Sequence, residues 1–234
     1  MKRSTYALTA AALEAGGAFG WFAVRPWYRH WGATPAEIDR PMPLDGRIAT
    51  PKLNTTMAIT IDAPPDEIWP WLAQIGDPPR AGYYSYTWIE KLVGLDIVNA
   101  GRLLPEHQQL EVGQTLDKNG TMTVLAVEPG RFLALGPPES VDYLKCVWSF
   151  ELRPIGSQRT RLVTRVRAEW SWKRLVETTS PLTLPMWFLI EPGAFIMERK
   201  MLLEIKRLAE RSRPPVSLEM ARARMRELAR GGAA

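Results

Sequence analysis

The sequence predicts an α+β domain, in which an antiparallel sheet packs against one long C-terminal helix. Two patterns indicate this class. Apolar and polar residues alternate over residues 145–172, which is typical of a β-hairpin with one covered face. Apolar residues over 191–212 recur instead at helical spacing, which predicts an amphipathic helix covering that sheet. We therefore expect the interior to lie between the sheet and this helix.

Length and composition limit the classes of protein to consider. The 234 residues are enough for one sizeable core with short appendages. Ten tryptophans suit either a bulky apolar ligand or a tryptophan-rich core. The single cysteine, Cys146, excludes an intramolecular disulfide and a cysteine-cluster metal site. Basic charge is concentrated in residues 1–30 and 213–234, which argues against nucleic-acid binding by the body and favours contact with anionic lipid.

Residues 1–31 are predicted to form an apolar anchor helix followed by an interfacial segment. The stretch from Tyr6 to Val24 is nineteen residues long, with Glu14 as its only charge. That length just spans a hydrocarbon layer of about 30 Å. A cleaved signal peptide and a helix packed on the domain are the alternatives. The basic residues on either side of the segment slightly favour a domain that faces the cytoplasm.

A connector rich in proline, residues 32–54, separates the anchor from the folded body. Its prolines and its Asp-Gly pair predict an extended or turning chain without regular structure. The body covers residues 55–212 and begins with a strand at 55–63, whose alternate apolar residues share one face. After the body, residues 213–234 predict a basic amphipathic tail that contacts lipid, with a solvated helix as the alternative.

Two short helices follow the first strand, at residues 64–76 and 87–94. Ile68 and Leu72 recur at helical spacing, so we expect them to face the core. Pro70 lacks the N–H of a regular helical bond, so the first helix is expected to be kinked or to begin late.

From residue 114 onward the pattern predicts strands separated by turns. Two strands lie within residues 121–138, and the long hairpin at 145–172 turns around 154–157. One face of the hairpin is apolar, and we expect the other to be wet. The residues of that charged face are Lys145, Glu151, Arg153, Arg161, Arg165, Arg167 and Glu169.

Four stretches, with this element order, resemble the START-like or helix-grip superfamily of polyketide cyclases, plant pathogenesis-related proteins and lipid-transfer domains. They are TTMAITIDAPPDEIWPWLAQIG, RAGYYSY, LLPEHQQLEVGQ and EPGAFIMERKMLLEIKR. They are most similar to a bacterial subgroup of cyclase/dehydrase-like, or SRPBCC, proteins that begin with an apolar segment. The resemblance covers roughly residues 25–212. It implies a curved antiparallel sheet around the long C-terminal helix and a deep apolar cavity, but no single activity, because this fold serves binding, transfer and catalysis.

The chain departs from the subgroup's pattern at three points. Thr87 stands where the subgroup has an acid, Lys91 stands where it has an asparagine-like residue, and Gly113-Gln114 replaces its usual Gly-Asp. A role that depends on an acid at position 87 is therefore not carried over to this chain.

Aromatic and polar residues are concentrated in the segment 69–90, for which two interpretations stay open. In the functional one they surround the cavity mouth and form hydrogen bonds with a ligand. In the structural one they lock the first helix to the second, with Glu90 bridging to Arg80. These candidate ligand-binding residues are Trp69, Trp71, Arg80, Tyr83, Tyr84, Ser85, Tyr86 and Glu90. The hairpin adds Trp148, Phe150, Thr164, Trp170 and Trp172.

Evidence for catalysis in the sequence is weaker. The chain has no Gly-x-Ser-x-Gly motif, no metal-ligand spacing and no glycine-rich phosphate loop. We expect no cofactor and no metal. The remaining candidates are Glu90 with Tyr83 or Tyr86, as general acid and base. We therefore expect a carrier or sensor of a lipid-, polyketide- or isoprenoid-like molecule at a membrane, and the alternative is a polyketide-type cyclase or dehydratase acting in the same cavity.

Overall fold

The computed structural model describes residues 16, 19, 23–92, 94–139, 141, 144–171 and 187–211. The predicted anchor lies almost wholly outside these residues, and the predicted C-terminal tail and Trp172 lie outside them altogether. Among the helices of the described ranges, none combines the length and the apolar character that crossing a bilayer requires.

The described elements form an α+β fold, as predicted. The helices are α1 (Arg25–Arg29), α2 (Pro35–Asp39), α3 (Pro65–Ala73), α4 (Thr87–Leu92) and α5 (Trp187–Arg211). The strands are β1 (Leu53–Ile61), β2 (Thr123–Glu128), β3 (Phe132–Gly136), β4 (Leu144–Ile155) and β5 (Arg159–Trp170). They pair antiparallel in one sheet of order β1-β5-β4-β3-β2. Short 3-10 helices cover Asp45–Ile48 and Pro105–His107.

The main core lies between one face of the sheet and α5. Met201, Leu202 and Ile205 of α5 are buried against sheet residues that include Phe150 and Leu162. Burying a side chain of this size contributes about 1.5 to 3 kcal/mol relative to leaving it in water. This contact confirms the prediction that the apolar stripe of the C-terminal helix covers the sheet.

Helix α3 packs on the same core through Ile68 and Leu72, as expected from their spacing. It begins at Pro65 and contains Pro70, so it does not begin late. It ends at Ala73, before the predicted end at Gly76.

The opposite face of the sheet is covered, so the prediction of a wet face was wrong. Arg165, in the middle of β5, is buried there. Its guanidinium donates to the backbone carbonyls of Glu37, Ile38 and Arg40, at 2.8 to 2.9 Å, and lies 2.6 Å from Asp45 Oδ2. The five N–H donors of arginine suit a chain segment whose carbonyls have no strand partner.

The segment that covers this face is the connector, which was predicted to lack regular structure. It contains α2, whose N-terminus is closed by reciprocal hydrogen bonds between Thr34 and Glu37. Met42 and Ile48 pack on the sheet beside Phe132. The connector is therefore part of the folded body, and it makes the sheet the middle layer of the domain.

The free edge of β1 is also protected by Trp31 and Gly32, where the interfacial segment meets the connector. Ala58 N donates to the Trp31 carbonyl at 3.1 Å. Gly32 has a φ of +71°, and a Cβ at that position would lie 2.2 Å from the Ala58 carbonyl oxygen. A residue with a side chain could not follow this path, so the glycine permits the close crossing.

Candidate ligand-binding cavity

A cavity of about 470 Å³ lies between the sheet and α5. Leu135, Val166, Met197 and Met201 give it largely apolar walls, and Leu95 contributes from the loop after α4. Sites for small molecules in proteins have volumes of roughly 300 to 1,000 Å³ and the same mixture of apolar walls and a few polar groups. Leu135 and Met201 also belong to the main core, so the cavity adjoins that core.

One carboxyl group, that of Glu198 on α5, lies in this apolar wall. Its Oε1 accepts hydrogen bonds from Trp148 Nε1 at 3.1 Å and from Thr164 Oγ1 at 2.7 Å. Burial raises the pKa of Glu198, and this effect outweighs the two hydrogen bonds, which lower it. The side chain is therefore biased towards the neutral acid.

Glu198 is not among the predicted site residues, although the sequence contains a signal for it. Glu198 lies three residues after Phe195 and three before Met201, so it belongs to the apolar stripe of α5. A lone acid on the buried face of an amphipathic helix marks a carboxyl group inside the protein.

A second polar group of the wall comes from the loops opposite. Tyr83 Oη donates to Asp77 Oδ1 at 3.1 Å, and both side chains line the cavity. Burial, followed by the charge and the hydrogen bond of Asp77, raises the pKa of Tyr83. Asp117 also lines the cavity. Burial raises the pKa of Asp117, whereas hydrogen bonds from Thr121 and Met122 lower it. The hydrogen bonds together have the larger effect, so the pKa of Asp117 lies below its ordinary value.

Cys146 faces the cavity from β4. Burial and the nearby Glu198 raise the pKa of its thiol to about 12. The thiolate, which is the nucleophilic form, is therefore scarce at neutral pH.

Three of the predicted site residues line the cavity, namely Tyr83, Ser85 and Trp148. The Ser85 hydroxyl donates to the Met197 carbonyl of α5 at 3.3 Å, which joins the loop to the helix. Thr164 is buried behind the wall, where it contacts Glu198 and accepts from Trp148 Nε1 at 3.2 Å.

Other predicted residues belong to the core instead. Trp71 and Tyr84 are buried with their rings edge to face, 6.3 Å apart, and Tyr84 Oη donates to the Trp71 carbonyl at 3.0 Å. Phe150 is fully buried, and Trp69 is half-buried against the same core. The placement of Trp69 and Trp71 at the cavity mouth is therefore corrected, because neither lines the cavity.

Arg80 has a structural part in this segment. It donates to the carbonyl of Ile75 at 2.7 Å and to that of Ala73, which are free at the C-terminal end of α3. The predicted bridge from Glu90 to Arg80 is absent among the described residues, because neither carboxylate oxygen of Glu90 has a hydrogen-bond partner there.

Glu90 and Tyr86, two of the three catalytic candidates, do not line the cavity. Glu90 is only 1% exposed, and burial, followed by the charge of Asp77, raises its pKa. Tyr86 lies beside Trp88, with Lys200 Nζ 5.9 Å from its ring centroid. The cavity therefore does not assemble the predicted acid-base pair, and of the three candidates Tyr83 alone faces it.

The remaining candidate, Trp170, lies outside the wall, with Lys52 Nζ 5.8 Å from its ring centroid. Within the described part of the chain, no cluster of histidine, cysteine, aspartate and glutamate side chains could hold a metal ion.

A smaller cavity of about 40 Å³ lies on the other side of Glu198. It shares Val166, Ala194 and Glu198 with the larger one. Helix α1 closes this side, because Tyr28 lines the small cavity and packs on Phe195.

Helix α1 is held in place by Glu191. Arg25 and Arg29 bind its carboxylate at 2.9 and 2.7 Å, and Tyr28 Oη donates to it at 3.1 Å. Part of the predicted interfacial segment is therefore attached to the wall of the domain.

No protein-family model matches the chain, and no curated protein matches it. Solved structures that match the chain include a protein from Nitrosomonas europaea, with 14% identity over 74% of this chain and 100% of that one, at a TM-score of 0.42. A polyketide-cyclase-like protein from Corynebacterium glutamicum matches with 14% identity over 67% and 91%, at 0.40. An aromatase/cyclase from Streptomyces sp. R1128 matches with 13% identity over 70% and 97%, at 0.37.

Proposed function

We propose that the protein binds an apolar small molecule in the cavity between the sheet and α5. The observation that carries this proposal is an apolar-walled space of about 470 Å³ that adjoins the main core. Burying a medium-sized ligand removes on the order of 300 Å² of apolar surface from water, worth roughly 7 kcal/mol before association costs. A preformed cavity keeps those costs low enough for micromolar binding.

A cavity-filling variant tests the proposal. Val166 lines the cavity, whereas Val112 is 67% exposed, so Val166→Phe and Val112→Phe make the same change inside and outside. Calorimetric titration with ethylnaphthalene should detect binding to wild type and to Val112→Phe, and much weaker binding to Val166→Phe. Binding by none of the proteins, or equal binding by all three, contradicts the proposal.

Mass spectrometry of an organic extract of the purified full chain gives an independent test. An apolar compound retained by wild type and reduced in Val166→Phe supports the proposal and identifies the chemical class of the ligand. A compound extracted equally from both proteins is bound elsewhere.

We further propose that the binding takes place at a membrane. The predicted anchor at residues 6–24 supports this, together with two exposed apolar residues of α4, the helix that precedes the cavity residue Leu95. Trp88 and Leu92, one turn apart on α4, are 65% and 80% exposed, and Leu95 after them lines the cavity. An apolar surface of this kind beside a ligand site suits contact with lipid.

Carbonate extraction of membranes tests the anchor. Ala12→Arg places a charge in the predicted segment, at a cost of roughly 2.5 to 3.5 kcal/mol of insertion energy near the centre of a span. Ala36→Arg makes the same change on the exposed side of α2. Wild type and Ala36→Arg should stay in the membrane pellet, and Ala12→Arg should shift to the supernatant. Recovery of wild type in the soluble fraction contradicts the proposal.

A second candidate function, a cyclase or dehydratase, is favoured by one observation. Glu198, with its raised pKa, and the hydrogen-bonded pair of Tyr83 and Asp77 line the same cavity. Loss of water from a β-hydroxyketone needs a proton donor and a proton acceptor of this kind. Incubation with a naphthyl β-hydroxyketone should then yield the unsaturated ketone, and Glu198→Gln and Asp77→Asn should each slow its formation. A rate equal to that without protein excludes the reaction for this substrate.

A further inference from the structure

The geometry points to Glu198 as a hydrogen-bond donor that selects, among apolar ligands, those carrying a carbonyl oxygen. This inference rests on the proposed function, because it needs a ligand in the cavity. It names a chemical class: a largely apolar ketone, aldehyde or ester with its oxygen directed at the C-terminal helix.

The hydrogen bonds identify which oxygen of Glu198 carries the proton. An indole N–H only donates, so Trp148 Nε1 makes Oε1 an acceptor at 3.1 Å. Thr164 Oγ1 donates its hydrogen to the same oxygen at 2.7 Å, and it shares the indole hydrogen at 3.2 Å. With two donors on Oε1, the neutral acid has its carbonyl there and its hydroxyl at Oε2.

The Oε2 hydroxyl has no hydrogen-bond partner among the described residues, and Glu198 lines both cavities. A ligand that fills the cavity displaces water from this hydroxyl, which then has no hydrogen-bond partner from the protein. A ligand carbonyl at this point accepts that hydrogen, so the wall favours ligands that offer one. Ligands with only hydrocarbon surface gain the apolar contacts but leave the donor unpaired.

The surroundings of Glu198 favour the neutral form, since burial raises its pKa. Cys146 on β4 has a raised thiol pKa and stays uncharged at neutral pH. Tyr28 of α1 faces the small cavity and has a raised pKa as well, because of burial and Glu191. The charge of Glu191, one α5 turn before Phe195, is balanced by Arg25 and Arg29. Asp77 and Asp117 face the larger cavity from the opposite loops.

A matched pair of ligands tests the inference. Acetylnaphthalene and ethylnaphthalene, both substituted at the second ring carbon, differ only by a carbonyl group in place of a methylene group. Titration calorimetry with wild type, Glu198→Gln and Glu198→Met gives the ratio of the two Kd values for each protein. The Met variant has a side chain of similar bulk and no hydrogen-bond donor. Its ratio of Kd values therefore gives the baseline that arises from the different solvation of the two ligands.

We expect the preference for the ketone to be roughly three- to tenfold greater in wild type than in Glu198→Met, which is the size of one net hydrogen bond. Glu198→Gln should keep the preference, because an amide N–H takes the place of the hydroxyl. Raising the pH through the pKa of Glu198 removes the proton, so the preference of wild type should fall with pH while that of Glu198→Gln stays constant.

The outcomes separate the inference from the function on which it rests. Equal ratios in all three proteins, with both ligands bound, overturn the carbonyl selectivity and leave the proposed function intact. Failure of wild type to bind either ligand overturns the proposed function and the inference together. If Glu198→Met loses its folded circular-dichroism spectrum, the pH comparison of wild type with Glu198→Gln decides, and a preference that does not change with pH in wild type contradicts the inference.

Discussion

Arg165, in the middle of β5, and Asp45, in the connector, form an ion pair of 2.6 Å. The pair lies on the outer face of the sheet, which is the face opposite α5. The guanidinium is 3% exposed, and it also binds three backbone carbonyls of the connector. This pair joins two parts of the chain that lie 120 residues apart. It is therefore a point at which the attachment of the connector can be measured.

Replacing Arg165 with methionine should destabilise the protein by about 3 to 5 kcal/mol, because the three carbonyls lose their donor and Asp45 loses its nearest cation. Asp45 keeps the Met42 N–H and the more distant Arg167. Urea unfolding measures this loss. Arg131→Met is the matched control, since Arg131 is 61% exposed and its pair with Glu128 should contribute less than about 1 kcal/mol. Equal losses of unfolding free energy in the two variants would show that the attachment of the connector to the sheet does not depend on Arg165.

Glu90→Gln should stabilise the protein at neutral pH. The folded-state pKa of Glu90 lies above its ordinary value of 4.5, because of burial and then the charge of Asp77. At a pH below that ordinary value, Glu90 is protonated in both the folded and the unfolded state and costs the protein no stability. Wild type loses stability as the pH rises through the folded-state pKa of Glu90. The glutamine has no proton to lose, so the difference should grow with pH.

Thermal unfolding across the mildly acidic to neutral range measures this effect. We expect the Tm of Glu90→Gln to exceed that of wild type by about 2 to 4 °C at neutral pH, which corresponds to about 1 kcal/mol in a chain of this size. Glu106→Gln, a change on an exposed residue, should leave the profile unchanged. A Tm difference that does not vary with pH would contradict the assignment.

Trp148→Phe should remove most of the ligand-dependent change in tryptophan fluorescence. Trp148 lines the cavity, so a bound aromatic ligand contacts its indole directly. Trp88→Phe is the control, because Trp88 is 65% exposed on α4 and does not line the cavity. A ligand-dependent signal that survives in Trp148→Phe and disappears in Trp88→Phe would place the ligand at the surface.

Glu191→Gln should loosen α1 without unfolding the domain. Glu191 holds Arg25, Arg29 and Tyr28, so its neutral analogue weakens every one of these contacts. Trypsin cuts after arginine in locally opened segments, except where proline follows, as it does after Arg25. Cleavage after Arg29 should therefore become faster. Glu204→Gln is the control on the same helix, because Glu204 pairs within α5. Equal cleavage rates in the two variants would mean that other contacts hold α1.

Much of the sheet and its covering helix could be predicted from the sequence, because alternation and helical spacing depend on which face is buried. The hairpin of β4 and β5 and the α5 contact through Met201 follow from those two periods. The covered outer face could not be predicted in this way. Several arginines on one face of a strand predict that this face is exposed to solvent. Arg165 is buried only because the connector supplies carbonyls from a distant part of the chain.

The candidate site was predictable in part. Trp148 was identified from its face of the strand, and Tyr83 from its motif. Trp71 and Tyr84 are residue types that also occur in ligand sites, but here they fill the core. The sequence does not show which of the two environments an aromatic ring occupies. Glu198 could not be found from the aromatic segment, because it lies far along the chain and interrupts the apolar face of a helix.

The ordered connector limits how far the domain could travel from a bilayer. If residues 6–24 are held in a membrane, α1 begins at Arg25 and is fastened at once to α5 by Glu191. The residues that follow are packed and hydrogen-bonded on the outer face of the sheet, so they do not form a flexible linker between the membrane and the domain. Such a protein would exchange its ligand with the leaflet on which it sits, and it could not shuttle cargo across the gap to a second membrane.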